Sequence, residues 1–143
     1  MNLVGDWWTL LILRDAFFGA QRFGEFQASL GVARNILANR LDGLVRSSIL
    51  ARQGPPRRPR YTLTDKGRAL LPALVALQQW GDVWASPNGA PILVTDEAGA
   101  VLQPVELRSR RGPVDATNVR FVAGPDATAR TRAFLAAVAG ERP

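Results

Sequence analysis

The sequence contains no cysteine and no histidine. Without cysteine there is no disulfide, no thiolate metal ligand, no cysteine nucleophile and no thiol-based redox sensing. Without histidine the commonest general base is missing, and zinc or iron would lose their usual ligands. Ser29, Ser47, Ser48, Ser86 and Ser109 therefore have no histidine to activate them. Gly19-Ala20-Gln21-Arg22-Phe23-Gly24-Glu25 has the glycine spacing of a phosphate loop, but Glu25 stands where that chemistry requires lysine. These gaps argue against an enzyme, and no cofactor is expected. Long hydrophobic runs are missing too. The longest, Ala69–Leu77, is interrupted by Pro72 and is far short of the ~20 residues of a membrane span. The start, MNLVGDWW, has no basic region of the kind that opens a signal peptide. The expectation is a cytoplasmic protein without a membrane partner.

What is present is one domain's worth of chain. Its 143 residues are close to the ~150-residue prior for a single domain, with room for a small appended element. With 47% hydrophobic and 21% charged residues the composition is globular rather than disordered. Basic residues outnumber acidic ones 18 to 12, which favours polyanionic partners. Lys66 is the lone lysine; every other basic side chain is arginine. Residues 1–86 hold 11 basic and 6 acidic side chains, against 7 and 6 in residues 87–143. The basic excess therefore belongs to the first part. Ser86-Pro87-Asn88-Gly89-Ala90-Pro91 is a cluster of turn formers and predicts a boundary between a domain over 1–86 and a small extension over 87–143.

In the first segment, Asp6 is placed to cap a helix over about 7–18 that is apolar nearly all round. A helix of that kind is expected to be buried, and Gly19 is placed to end it. A short helix is expected over about 23–30, broken by Gly31, and a third over about 33–47. At about 100° per residue, Ile36, Leu37, Leu41, Leu44 and Val45 gather on one arc of the third helix. Asn35, Ala38, Asn39, Asp42 and Arg46 lie opposite, Arg34 sits at one edge, and Arg40 falls inside the apolar arc, where a structural ion pair is expected. A short helix, a glycine turn and a helix with a polar Asn/Arg face form the pattern of a helix-turn-helix.

Two strand candidates follow, Ile49–Gln53 and Arg60–Thr64, joined by the proline-rich basic loop Gly54-Pro55-Pro56-Arg57-Arg58-Pro59. Directly after a helix-turn-helix, such a hairpin reads as a wing. Thr64 then caps a long helix over about 65–85, which Pro72 is expected to kink. Leu70, Leu74, Leu77, Trp80 and Trp84 form a stripe along it that exceeds what a small core needs, so part of the stripe is expected between two chains. The fold class is thus α+β: a winged helix-turn-helix with a long C-terminal dimerisation helix and a small β-hairpin/helix extension.

These stretches, Gly5-Asp6-Trp7-Trp8-Thr9-Leu10-Leu11-Ile12-Leu13-Arg14-Asp15, Arg22-Phe23-Gly24-Glu25-Phe26, Leu30-Gly31-Val32-Ala33-Arg34-Asn35-Ile36-Leu37, Asn39-Arg40-Leu41, Tyr61-Thr62-Leu63-Thr64-Asp65-Lys66-Gly67-Arg68-Ala69-Leu70-Leu71-Pro72 and Leu77-Gln78-Gln79-Trp80-Gly81, resemble the HxlR family of winged-helix transcription regulators, cousins of the MarR family. The resemblance covers roughly residues 5–85. It implies a homodimer on an inverted-repeat operator, acting mainly as a repressor and sometimes as an activator. It also implies dimerisation through the long fourth helix and an additional N-terminal helix. The chain departs from the family where only Met1–Val4 precede the first motif, since members usually carry about one more helix there, often with a cysteine. The wing loop is also short and rich in proline.

Beyond residue 87, Ile92–Thr95 and Val101–Arg108 read as a β-hairpin around Asp96-Glu97-Ala98-Gly99, Asn118–Val122 as a third strand, and Gly124-Pro125-Asp126 as the opening of a last helix ending near Ala139.

On this reading Arg34, Asn35, Ala38 and Asn39 are the candidate base-reading residues. Asn pairs bidentately with adenine and Arg with guanine; the alternative is a merely solvated face. Arg52, Arg57, Arg58 and Arg60 are candidates for phosphate or minor-groove contacts, against a loop that only aids solubility. Trp7, Trp8, Trp80 and Trp84 line either a ligand pocket or a core and dimer interface. The function expected is a sequence-specific regulator on double-stranded DNA. A winged-helix protein-interaction module without DNA binding is the alternative, and a small-molecule effector that gates DNA binding is compatible with the first reading.

Overall fold

The computed structural model describes residues 7–140. Asp6, expected to cap the first helix, lies outside the described residues. The chain divides into two compact units, one reaching to Val105 and one beginning at Glu106.

The first unit opens with α1 (Trp7–Phe17), α2 (Phe23–Leu30) and α3 (Arg34–Arg46). Gly19, at φ 100°, ends the turn after α1, and Gly31, at φ 61°, ends α2 in the left-handed conformation, which costs a residue without Cβ little. Strands β1 (Leu50–Gln53) and β2 (Arg60–Leu63) form the antiparallel wing, with Leu50 opposite Leu63 and Arg52 opposite Tyr61. The core gathers Ile12 and Leu13 of α1, Phe26 of α2, Leu37, Leu41 and Leu44 of α3, and Leu50 and Tyr61 of the wing. Phe26 and Tyr61 meet edge to face, with ring centres 6.4 Å apart. Burial pushes the Tyr61 hydroxyl pKa up.

α1 is not buried all round. Its inner face carries Thr9, Ile12, Leu13 and Asp15, while Trp7 remains 66% exposed. The outer apolar face, with Leu10 and Leu11, lies toward the helix over Leu71–Trp84 and is covered only in part.

The turn after β2 locks the wing to the end of α3. The Thr64 hydroxyl donates to the Ser48 carbonyl (2.6 Å), lies 3.0 Å from the Ile49 carbonyl, and accepts the Gly67 N–H (3.1 Å). Lys66 Nζ donates to the Ser47 carbonyl at 2.8 Å. A Cβ on Gly67 would run into the Ile49 carbonyl oxygen, so this turn has room only for glycine.

The long fourth helix is two helices, α4 (Asp65–Arg68) and α5 (Leu71–Trp84). Pro72 breaks it rather than kinking it. Its ring would clash with the carbonyl four residues back, at Arg68, where α4 stops. Restarting at Leu71 puts Pro72 in a first turn, where a missing N–H is harmless.

The compact units divide at Val105, beyond the boundary expected at 86/87, and side chains of α5 hold the segment between. Gln78 Nε2 donates to the Ile92 carbonyl (3.0 Å), and Gln79 binds both the Gln103 carbonyl (3.1 Å) and the Val105 N–H (2.8 Å). The hairpin expected over 92–108 shrinks to one bridge, Thr95 to Val101, around a turn capped by Asp96. Pro91 and Pro104 flank it and cannot donate to a longer ladder.

In the second unit β3 (Arg108–Ser109) pairs with β4 (Gly112–Pro113). The strand expected at 118–122 is absent among the described residues. A 3-10 turn, Ala116–Asn118, stands at its start, and Phe121 and Val122 are about four-fifths exposed. Asp115 caps that turn, and the Thr117 hydroxyl and N–H hold its carboxyl below the usual aspartate range. α6 (Ala129–Gly140) starts three residues after Asp126, with Thr128 as its cap.

Candidate nucleic-acid interface

The outer face of α3 exposes Arg34, Asn35 and Asn39, with Ala38 half-buried between them. Leu37, Leu41 and Leu44 are buried on the opposite side, so the burial of those three leucines turns the two asparagines outward. The buried arc is narrower than the apolar pattern. Ile36 is 38% exposed, and Arg40, expected inside, is exposed. Both sit at the flank of the arc that Leu37, Leu41 and Leu44 bury.

The wing loop closes on itself through the Arg58 N–H to the Pro55 carbonyl (2.9 Å). It exposes Arg57 and Arg58, and Arg60 is exposed at the start of β2. Arg52, on β1, is exposed as well. It pairs with Tyr61 across the sheet and lies 3.8 Å from Asp42 of α3. That pair is half-exposed and of little net strength.

The start of α2 brings the two surfaces together. Arg22 Nη1 donates to the Arg58 carbonyl at 2.9 Å. The Tyr61 N–H donates to the Gln21 carbonyl at 2.8 Å. The Arg34 guanidinium lies over the Phe23 ring, 5.2 Å from its centre, a favourable cation–π placement. Between them is a cleft of about 350 Å³ lined by Arg22, Phe23, Gly24, Arg57, Arg58 and Pro59. The nearby acid, Glu25, is held ionised and turned to the backbone. Its carboxylate accepts the N–H groups of Gln21 (2.7 Å) and Arg22 (2.9 Å), the reaching-back half of a capping box. The Gln21 bond first, then the Arg22 bond, hold its pKa below the usual glutamate range, with the charges of Arg22 and Arg60 adding to the effect.

Arg22 is the residue that pattern reading left without a role. Its signal was its place in the Arg22-Phe23-Gly24-Glu25 stretch, but only folding shows that it reaches a carbonyl 36 positions away. The expected dimerisation stripe also divides. Leu70 and Leu74 pack against the unit's own core, whereas Leu77, Trp80 and Trp84 are 45%, 60% and 75% exposed, beside Val83 at 74%. Of the tryptophans, Trp8 packs on the core. Among the described residues no helix is long and apolar enough to cross a membrane, and no acidic cluster is placed to hold a metal ion.

Three helices followed by a two-stranded wing, with the third helix bare on its polar side, define a winged helix-turn-helix protein. Residues 3–89 match the HxlR-like helix-turn-helix family, and the chain belongs to it. It is 47% identical over 96 residues to an uncharacterised HTH-type transcriptional regulator of Mycobacterium tuberculosis H37Rv, Rv3095, covering 64% of this chain and 61% of that one. The chain thus spans about three-fifths of the length of the first of its curated relatives. Among solved structures it is similar to PA1607, a candidate transcription factor, at 40% identity and TM-score 0.77, over 86% of this chain and 90% of that one. It is similar as well to PA1374 of Pseudomonas aeruginosa, another candidate transcription factor, at 33% identity and TM-score 0.66, over 92% and 93%. The family and these relatives are transcription regulators, a role that needs no catalytic machinery.

Proposed function

We propose that the chain is a sequence-specific transcriptional regulator that binds an inverted-repeat operator as a homodimer, chiefly as a cytoplasmic repressor, with its DNA affinity gated by a small-molecule effector. The observation that carries this reading is the exposed pair Asn35 and Asn39, one turn apart on α3, beside the arginine-lined cleft of α2 and the wing. In the major groove Asn35 and Asn39 pair with adenine edges, Ala38 meets a thymine methyl, and Arg34 takes a guanine or a phosphate. Arg57, Arg58 and Arg60 bind phosphates or the adjacent minor groove. Arg52, exposed on β1 beside Asp42, adds a further phosphate contact. Leu77, Trp80, Val83 and Trp84 form the apolar face that a second copy covers, with Leu70 and Leu74 holding α5 on its own core.

Selection from a random duplex pool tests the reading. It requires a two-fold symmetric consensus, with light scattering showing a dimer at micromolar concentration. A pool that emerges without an enriched motif overturns sequence-specific binding, and a monomer overturns the dimer.

A further inference from the structure

A second feature of the first unit lies between α1, α5 and the segment Pro91–Thr95. It is a cavity of about 520 Å³, within the ~300–1,000 Å³ of small-molecule sites. Its walls are mainly apolar, built from residues such as Leu10, Leu11, Phe17, Leu74 and Ile92. Of the tryptophans singled out in the sequence, only Trp7 lines it. The third wall is chain that has little regular structure of its own and is pinned over the cavity by Gln78 at the Ile92 carbonyl.

The cation in the lining is Arg14, and its arrangement is specific. Nε and Nη2 both donate to the same oxygen, Asp15 Oδ1, at 2.9 and 2.7 Å. That leaves the Nη1 edge of the guanidinium to a ligand. The guanidinium also lies over the Phe18 ring, 5.7 Å from its centre, and the side chain is 41% exposed. A cation held over an aromatic ring in the wall of a mainly apolar cavity matches a flat ring system that carries one negative group. Asp82, also in the lining, disfavours a second negative charge and accepts from a ligand hydroxyl or amine.

We propose that this cavity binds an aromatic organic anion, with its rings between α1 and α5 and its carboxylate or sulfonate on Arg14. This names the site and the ligand class of the effector-gated reading and rests on that reading for its consequence. The consequence follows from Asp15. That carboxylate is 3% exposed, and its Oδ2 has no partner among the described residues. An anion that draws Arg14 toward the cavity weakens the charge compensation of a buried carboxylate in the last turn of α1. The Asp15 backbone carbonyl also holds the Ala20 N–H at 2.9 Å in the loop that leads to α2. The reading helices therefore lie directly downstream of the site.

The probe is 1-anilinonaphthalene-8-sulfonate, read by its fluorescence without DNA, beside N-phenyl-1-naphthylamine, which lacks the sulfonate. The full chain is expected to bind one sulfonate probe per protomer saturably, and the uncharged probe about tenfold more weakly. Leu11→Trp, which fills the cavity, abolishes binding. The double variant Arg14→Gln/Asp15→Asn, which leaves no buried charge unpaired, brings the two probes to equal affinity. Circular dichroism checks that both variants fold, and should the double variant unfold, the two probes on the unaltered chain decide the charge preference. Equal affinity for the two probes on that chain, or undiminished binding to a folded Leu11→Trp, overturns the proposal. Conversion of a dimer to a monomer by Leu11→Trp assigns the groove to a second copy and also overturns it. Release of labelled DNA by the sulfonate probe is the separate test of gating; probe binding without release retains the site and removes its regulatory role.

Discussion

Arg22 Nη1 and the carbonyl oxygen of Arg58 lie 2.9 Å apart, and that bond makes the first residues of α2 and the tip of the wing a single surface. The arginines of the loop are thereby presented at a set distance from α3, instead of on a hairpin free to swing. Arg22→Ala is expected to speed amide exchange in the wing loop around Arg58. It should also weaken binding to operator and random DNA alike. Arg57→Ala/Arg58→Ala should flatten the dependence of log affinity on log salt by ~0.9 for each phosphate the variant no longer neutralises. An unchanged slope in that variant means these arginines do not touch DNA.

Asn35 and Asn39 make the opposite prediction. Neither belongs to the buried arc of α3, so Ala at either position should leave the unfolding midpoint nearly unchanged. Binding to the operator should fall by about 1–3 kcal/mol, with little change on random duplex. Equal losses on both DNAs would show that these side chains only position the protein.

Gly67 and Gly81 separate crowding from propensity. A Cβ at Gly67 meets the Ile49 carbonyl, whereas at Gly81 nothing lies within 4 Å. Gly67→Ala should destabilise by about 1–3 kcal/mol in urea unfolding. Gly81→Ala, inside α5, should stabilise by up to ~1 kcal/mol. If Gly67→Ala is neutral, the turn does not pack on the end of α3 as described.

Glu25 sets a pH dependence. Its folded-state pKa is depressed by the Gln21 and Arg22 N–H groups. Its stabilisation is therefore fully present above the unfolded-state value, about pH 4.3, and is lost as pH falls through the folded value. Glu25→Gln should lower stability at neutral pH, and the gap to the unaltered chain should close on acidification. A gap that stays constant with pH would show that the carboxylate charge is not what α2 uses.

The helix-turn-helix and the wing could be read before folding because each rests on local rules. Gly31 ends α2, the leucine spacing phases α3, Thr64 caps the turn after β2, and prolines exclude the wing loop from a sheet. The outward direction of Asn35 and Asn39 follows from the same spacing. The region after Pro91 follows no such local rule. Alternating apolar residues were present there, but the flanking prolines left only one bridge, and a ladder depends on donors that pattern alone does not count.

Sequence alone thus determined the elements whose signals lie within one or two turns of chain, and through them the family and the outward polar face of α3. Tertiary structure alone decided which side chains reach across the fold. Arg22 clasps the wing, Arg52 lies near Asp42, Leu70 and Leu74 go to the core while Trp80 and Trp84 stay bare, and Arg14 lines a cavity. The physical reason is range. Propensity, capping and periodicity act over a few residues, whereas an ion pair, a clasp or a cavity wall joins groups that only packing brings together.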